Sequence, residues 1–467
     1  MHLKKRTDGK NENGMDKGEG EGGGGGGGEA GSGGAKGGPR HYLARLLKIL
    51  GPGLVTGAAD DDPSGIATYS QTGARFGFGQ LWTALYQLPL LIAVQEACGR
   101  IGAVTGKGLA GVIKQHHSRT ILMATVLLVV AANVINIGAD IGAVAEAGRL
   151  VADIPFWLLA GLTAVLVVGL EVFVSYRNYA KVLKWLAVTL LAYPATALIV
   201  HQPWGTILRA TFIPHIEFTF GFLFIITGVF GTSISPYMFF WQASQEVEEE
   251  IDLSIPNGKD GTPRLPHGFM RDLRIDTAIG MISAELAQWF IIITTASVLF
   301  AHGVTNINTA ADAAKALEPL VRSFPDAGQA ARIIFAVGII GLGLLGIPVL
   351  AGSAAYALAE AMGWKHGLYR QAGKAKGFYG VIVVATVIGL ALNFVGIDPM
   401  KALVFTAVFN GIAAVPLLFM IARINGSAAI LGDRRGGLLS RALVWLTFGV
   451  MGLSAVALLY TTVAPQG

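Results

Sequence analysis

The sequence predicts an all-helical membrane protein of about eleven transmembrane helices, built as two inverted halves of five with the first and sixth helices broken. Three observations predict it. Hydrophobic residues make up 53% of the 467 residues and charged residues only 14%, against about a quarter charged in soluble domains. Apolar runs of the length a bilayer requires, about 20 residues, recur from near residue 46 almost to the C-terminus. Two of these runs carry polar and proline punctuation halfway along, GAADDDPSGIATYSQ at residues 57–71 and GTSISP at residues 231–236.

Residues 1–40 are polar and glycine-rich, without the apolar stretch of a secretory leader, and read as a disordered cytoplasmic tail ahead of a membrane domain over 41–467. Candidate spans then lie near 46–74, 80–102, 120–150, 155–174, 180–200, 218–246, 275–302, 330–362, 378–397, 401–423 and 440–463. Alternate connections, at 114–119, 177–184, 259–274, 365–376 and 423–441, hold most of the basic residues. The opposite ones carry few, such as Arg75, Arg149, Arg209 and Lys401. The positive-inside rule places the N-terminus in the cytoplasm and, with an odd number of spans, the C-terminus outside a multi-pass protein of the cell membrane. The net charge of +5 is scattered over these connections and forms no stripe for nucleic acid. Cys98 is alone, which excludes an intrachain disulfide and a CxxC redox motif. With no Ser/His/Asp grouping and no HExxH motif, neither enzymatic chemistry nor an organic cofactor is expected.

In the first broken span, Asp62 before Pro63 reads as an N-cap followed by proline at the first helical position, and Ser235 before Pro236 repeats the pattern in the sixth. Each span is expected to be two half-helices around an unwound joint, tolerated in a bilayer only where the freed backbone lines a cavity or meets protein. Interruptions at matching places in two inverted halves point to a binding site at the midplane. An aspartate at a span's centre costs roughly 2.5–3.5 kcal/mol, and here Asp60, Asp61 and Asp62 stand together. A cap explains one carboxylate. The others either sit in an aqueous vestibule at a membrane edge or belong with Asp62 to a cation site, where carboxylates and released carbonyls are hard donors suited to Mg²⁺, Ca²⁺ or Mn²⁺.

GPGLVTGAADDDPSGIATYSQTGARFGFGQLW (51–82) and QEACGRIGAVTGKGLA (95–110) resemble the first two helices of the natural resistance-associated macrophage protein (NRAMP) family of divalent-metal transporters. The resemblance spans about residues 45–463 and is densest in those two helices. It implies a LeuT-like transporter working by alternating access, with a divalent metal ion as substrate and the lipid bilayer as its environment. No protein partner is evident.

Carried over residue by residue, the resemblance puts Asp62 at the family's metal-binding aspartate, with Asp60 and Asp61 around it. Thr232 falls where the family uses a backbone carbonyl. Gly65 stands in place of an asparagine ligand, Ser235 in place of a methionine and Tyr237 in place of a histidine. Losing the thioether leaves only hard donors, and two shortened side chains leave space for an ion that keeps part of its water, as Mg²⁺ does. The pattern resembles the NRAMP-related magnesium transporter branch. Tyr237 cannot take up a proton at neutral pH, so transport is expected to be weakly coupled or uncoupled to protons. Proton-coupled Mn²⁺/Fe²⁺ transport and a non-transporting ion sensor are the alternatives.

Asp140, near the family's third-helix acid, is read with Glu146 and Glu285 as a buried group serving protons, the surroundings of the ion or a structural hydrogen bond. Asn410 falls beside a family polar position that reaches the site. The acidic run at 245–250 is read as a solvated face, in preference to an exit vestibule that attracts cations, and the glycines at 341–346 as a close helix contact.

Overall fold

A computed structural model describes residues 51–174, 186–258 and 261–463; the tail at 1–40 and the connection at 177–184 lie outside them. Helices dominate the described chain, whose only β feature is an isolated bridge between Asn257 and Pro263. The first half comprises α1 (Pro52–Asp60), α2 (Pro63–Phe76), α3 (Trp82–Thr105), α4 (Leu109–His116), α5 (Arg119–Arg149), α6 (Phe156–Phe173) and a 3-10 turn (Leu186–Leu191) running into α7 (Ala192–Ile199). After α8 (Trp204–Phe212) come α9 (Phe220–Ser233), α10 (Pro236–Asp252), α11 (Phe269–Val298), α12 (Ala310–Ala314) and α13 (Ala327–Met362). α14 (Lys376–Leu392), α15 (Pro399–Asn425), the short α16 (Ala428–Leu431) and α17 (Leu438–Val463) complete the chain.

Among the described residues, 8 segments are long and apolar enough to cross a membrane. The split pair α1–α2, the shorter helix ending in α7, and α14 fill the remaining places of the eleven-span, inverted-repeat architecture. Large apolar side chains point outward, with Val165 and Leu453 each 72% exposed. That is the reverse of a soluble surface and the expected face toward lipid. α4 and α8 are helices that the apolar pattern did not announce, because each is too short to span.

Both expected breaks are present. α1 gives way to α2 across Asp61 and Asp62, and α9 to α10 across Ile234 and Ser235. Helices in lipid gain little from apolar burial against one another, so close approach relies on small residues. A Cβ at Gly57 would run into the Gly280 backbone of α11, and one at Gly231 into Ala407 and Gly411 of α15. These contacts hold α1 against α11 and α9 against α15. Asp276 of α11 also caps the first half-helix, accepting from the backbone N–H groups of Gly51 (2.9 Å), Gly53 (2.6 Å) and Leu54 (3.1 Å). Three donors that a helix start leaves unsatisfied are thereby met by one carboxylate from another element.

Candidate cation site

Asp60, Asp61 and Asp62 are 1%, 4% and 1% exposed, so the vestibule reading is overturned. Asp62 is the N-cap of α2, as its place before Pro63 suggests. Its Oδ1 accepts from Gly65 N (2.8 Å) and from Ser64 Oγ (2.6 Å). These two short bonds occupy one lobe of the carboxylate. Oδ2 has only long contacts, from Asn136 Nδ2 and from the Tyr237 hydroxyl, both at 3.4 Å. At such lengths the bonds are weak, and Oδ2 is the lobe with capacity to spare. The Tyr237 hydroxyl also donates to the Ala59 carbonyl at 3.0 Å, which the end of α1 releases from its helix. Ser353 Oγ donates to the Tyr237 carbonyl at 2.8 Å and ties that residue to α13. Asp62 Oδ2, Ala59 O and the Tyr237 hydroxyl thus meet at the first joint.

The second joint is built differently. Ser235 is extended, as an N-cap residue should be, but its hydroxyl makes no cap bond. It turns back onto Gly231 O (2.5 Å) and Thr232 O (2.6 Å). The carbonyls at the end of α9 have lost their helical partners, and the single proton of this buried hydroxyl, shared between two of them, partly meets that loss. Thr232 Oγ1 lies 3.2 Å from Ser64 Oγ, which links the two joints directly. A Cβ at Gly65 would stand 3.1 Å from Asp60 O and 3.4 Å from Thr232 Oγ1, so glycine keeps the space between the joints open.

Of the outlying acids, Asp140 is fully buried and neither of its oxygens has a protein donor. Gly346 makes room for Asp140 beside Asp62, since a Cβ there would lie 3.1 Å from Asp62 Cβ and 4.0 Å from Asp140 Oδ2. The glycine-rich run of α13 is accordingly a packing surface. Oδ1 of Asp60 and Oδ1 of Asp61 also lack a protein partner. No ion pair reaches these acids among the described residues.

Glu285 on α11 accepts from Gln87 Nε2 at 2.9 Å and, with the Gln288 amide turned to suit both neighbours, from that amide at 3.3 Å. No hydrogen bond joins Glu285 to Asp62. Asn410 is buried on α15 with Nδ2 unpartnered, and no hydrogen bond connects it to either joint. Glu146 corrects the sequence reading: its side chain is 30% exposed and pairs with Arg149 at 3.2 Å near the end of α5. The acidic run is corrected too, because α10 continues through it and Glu246 and Glu250 are only 2% and 5% exposed. Glu248 there accepts from Tyr356 and from Leu368 N and Tyr369 N, stapling the segment after α13 onto α10.

Ser64, Asn136 and Gly346 are contributors that the sequence reading passed over. Asn133 and Asn136, two amides in the same span as Asp140, were the available signal. Among the described residues no three Asp, Glu, His or Cys side chains converge to hold a metal by themselves. The chemistry on offer is one carboxylate lobe among neutral oxygens, a donor set that fits a hard cation.

The natural resistance-associated macrophage protein-like family model matches residues 53–461. A divalent metal cation transporter MntH of Caldanaerobacter subterraneus is 25% identical over 401 residues, covering 81% of this chain and 85% of the relative. A second MntH, from Ralstonia nicotianae, is 22% identical over 437 residues, covering 90% and 92%. The Eremococcus coleocola manganese transporter superposes with a TM-score of 0.71 at 18% identity over 90% of this chain and 87% of that one. The nucleobase-cation-symport-1 transporter MHP1 does so with a TM-score of 0.54 at 14% identity over 88% and 91%. The fold is thus shared with solved transporters of the inverted-repeat kind, and the chain belongs to the natural resistance-associated macrophage protein-like family.

Proposed function

We propose that this chain is a secondary transporter that carries divalent metal cations through the two joints by alternating access. The observation that carries the reading is Asp62: a buried carboxylate at a helix break, with Oδ1 saturated and Oδ2 loosely held beside the released Ala59 carbonyl. Asp62 would bind the ion, and Gly65, Thr232, Ser235 and Tyr237 would shape the space around it. Asp60 and Asp61 would add negative charge nearby. Relatives named as divalent metal cation transporters and a structural neighbour named as a manganese transporter make Mn²⁺ the first ion to test. Every donor in reach is oxygen, so Mg²⁺ and Ca²⁺ should compete with Mn²⁺ more strongly than at a site with a thioether.

Tyr237, a phenol that takes up no proton near neutrality, supports transport with weak or no proton coupling. Asp140 supports the second reading, proton-coupled Mn²⁺ transport, because it sits beside Asp62 without a donor of its own. The charge bias of the connections supports an N-terminus inside the cell and a C-terminus outside.

The test is radioactive Mn²⁺ uptake into proteoliposomes, with Mg²⁺ as competitor and a pH dye inside the vesicles. The expected result is uptake lost on Asp62→Ala, inhibited by millimolar Mg²⁺ and accompanied by little internal acidification. Uptake indifferent to Mg²⁺ would overturn the weak selectivity, and stoichiometric acidification would establish the coupled reading. Binding without flux would leave a sensor instead of a transporter.

A further inference from the structure

We propose that the end of the bundle bearing the basic connections holds a binding site for a phosphoryl group, presented as the headgroup of an anionic phospholipid or as free phosphate, in a cleft between Arg264 and Arg434. The cleft has a volume of about 360 Å³ and is lined by Val104, Thr262, Pro263, Arg264, Leu265 and Arg434. That lies in the range of small-ligand pockets, about 300–1,000 Å³, and exceeds what a bare phosphate fills. Three separate regions of the chain build it: the end of α3, the connection between α10 and α11, and the turn ahead of α17.

Its walls are fixed by contacts in which, among the described residues, neither guanidinium group takes part. Gly106, left-handed at φ +62, ends α3, and the Pro263 ring lies 3.0 Å from where its Cβ would be, so the connection docks onto the helix end. Leu265 is buried with Ala103 and Leu273. The connection is closed on itself by Gly258 N donating to Thr262 O (2.7 Å) and Arg264 N to Pro256 O (2.9 Å). On the opposite wall Arg100 donates to the Arg434 carbonyl at 2.9 Å, and Gly436 N donates to Asn425 O at 3.0 Å.

Among the described residues, two arginines and no acidic side chain line the cleft. Arg264 and Arg434 form no ion pair among the described residues. Glu96, one of the buried acids at this end, is engaged by Arg100 and by Arg274 at 3.0 Å. Asp433 stands in the same turn as Arg434 and Arg435 and offsets one of them. A cleft lined by two arginines at a bundle end offers the double positive charge that phosphoryl oxygens favour. The inference stands apart from the transported ion.

The test uses the purified full chain in detergent, following its melting temperature while titrating phosphatidylglycerol, phosphatidylcholine or inorganic phosphate. Phosphatidylglycerol should raise the melting temperature saturably and phosphatidylcholine should not. The double substitution Arg264→Gln/Arg434→Gln should weaken the apparent affinity by about thirtyfold, the effect of removing two basic groups near a membrane surface. Arg271→Gln, at a residue paired to Asp272 outside the cleft, should leave it unchanged. Saturation by inorganic phosphate in competition with the lipid would support the site and name free phosphate as its source. An equal shift from phosphatidylcholine, or a double variant that titrates like the wild type, would overturn the proposal. If the double variant does not fold, hydrogen exchange of the unaltered protein in nanodiscs decides. Residues 253–268 should be protected by phosphatidylglycerol relative to phosphatidylcholine, and equal exchange would refute the site.

Discussion

The joint between α1 and α2 and the joint between α9 and α10 each interrupt a helix for two residues, but they treat the freed backbone in opposite ways. At the first, a charged residue faces forward: Asp62 caps α2, and the Ala59 carbonyl behind it is met only by the hydroxyl of a distant tyrosine. At the second, a neutral residue faces backward: Ser235 closes the carbonyls of Gly231 and Thr232 and leaves the start of α10 without a side-chain cap. One break keeps spare acceptor capacity and the other consumes its own. Similar sequence grammar, a polar residue before proline, therefore yields one electronegative joint and one self-satisfied joint. The asymmetry is what a site for a single cation needs, since charge concentrated on one wall can bind while the facing wall shapes and selects.

The comparison breaks most severely if the charge is removed. Asp62→Ala should abolish cation uptake in proteoliposomes while costing only about 1 kcal/mol of stability, the loss of one N-cap. Persistent uptake by a folded Asp62→Ala protein would mean that the first joint's charge is structural. Next is crowding. Gly231→Val should destabilise the protein by about 1–3 kcal/mol or more, because its side chain would press on the α15 backbone. Gly65→Ala, whose Cβ would meet neighbours at 3.1–3.4 Å, should fold normally and lower uptake. Melting temperatures and flux measured together separate the two.

Tyr237→His would place beside Asp62 an imidazole, a side chain whose unperturbed pKa is about 6.5 in water. The sign is fixed by charge: an imidazolium beside Asp62 repels the ion, so acidification should lower uptake more steeply in the variant than in the unaltered protein. Initial rates as pH falls would show it. Ser235→Met should sharpen the contrast by adding a soft donor, favouring Mn²⁺ over Ca²⁺ by about tenfold in competition assays. The smallest effect is expected of Ser235→Ala, which deletes a hydroxyl whose one proton is shared by two buried carbonyls and should cost about 0.5–1.5 kcal/mol for the hydrogen bonding lost.

Span positions and the two breaks were legible because hydropathy and Pro punctuation are local properties of the chain. Arg119–Arg149 and Ala327–Met362 fall within a few residues of the runs read from composition. The acidic run after the sixth span was misread, because charge suggested solvent. Glu248 instead gains hydrogen bonds from a segment more than a hundred residues away, which no local pattern carries. Glu146 was misread in the other direction, since a partner three residues on, Arg149, lets it reach the helix end as an ion pair.

The sequence by itself determined that this chain spans a membrane many times, that its first and sixth crossings are interrupted, and that three carboxylates stand at the first interruption. Bilayer length, helix capping and the cost of buried charge act on residues close together in the chain. Only the tertiary structure decided which carboxylate oxygen keeps spare capacity, that Ser235 turns backward, that Asn136 and Tyr237 reach Asp62, and that Asp276 caps the first half-helix. Those outcomes depend on hydrogen bonds and close approaches between residues far apart in sequence. Directional contacts of that kind exist only once the helices are packed.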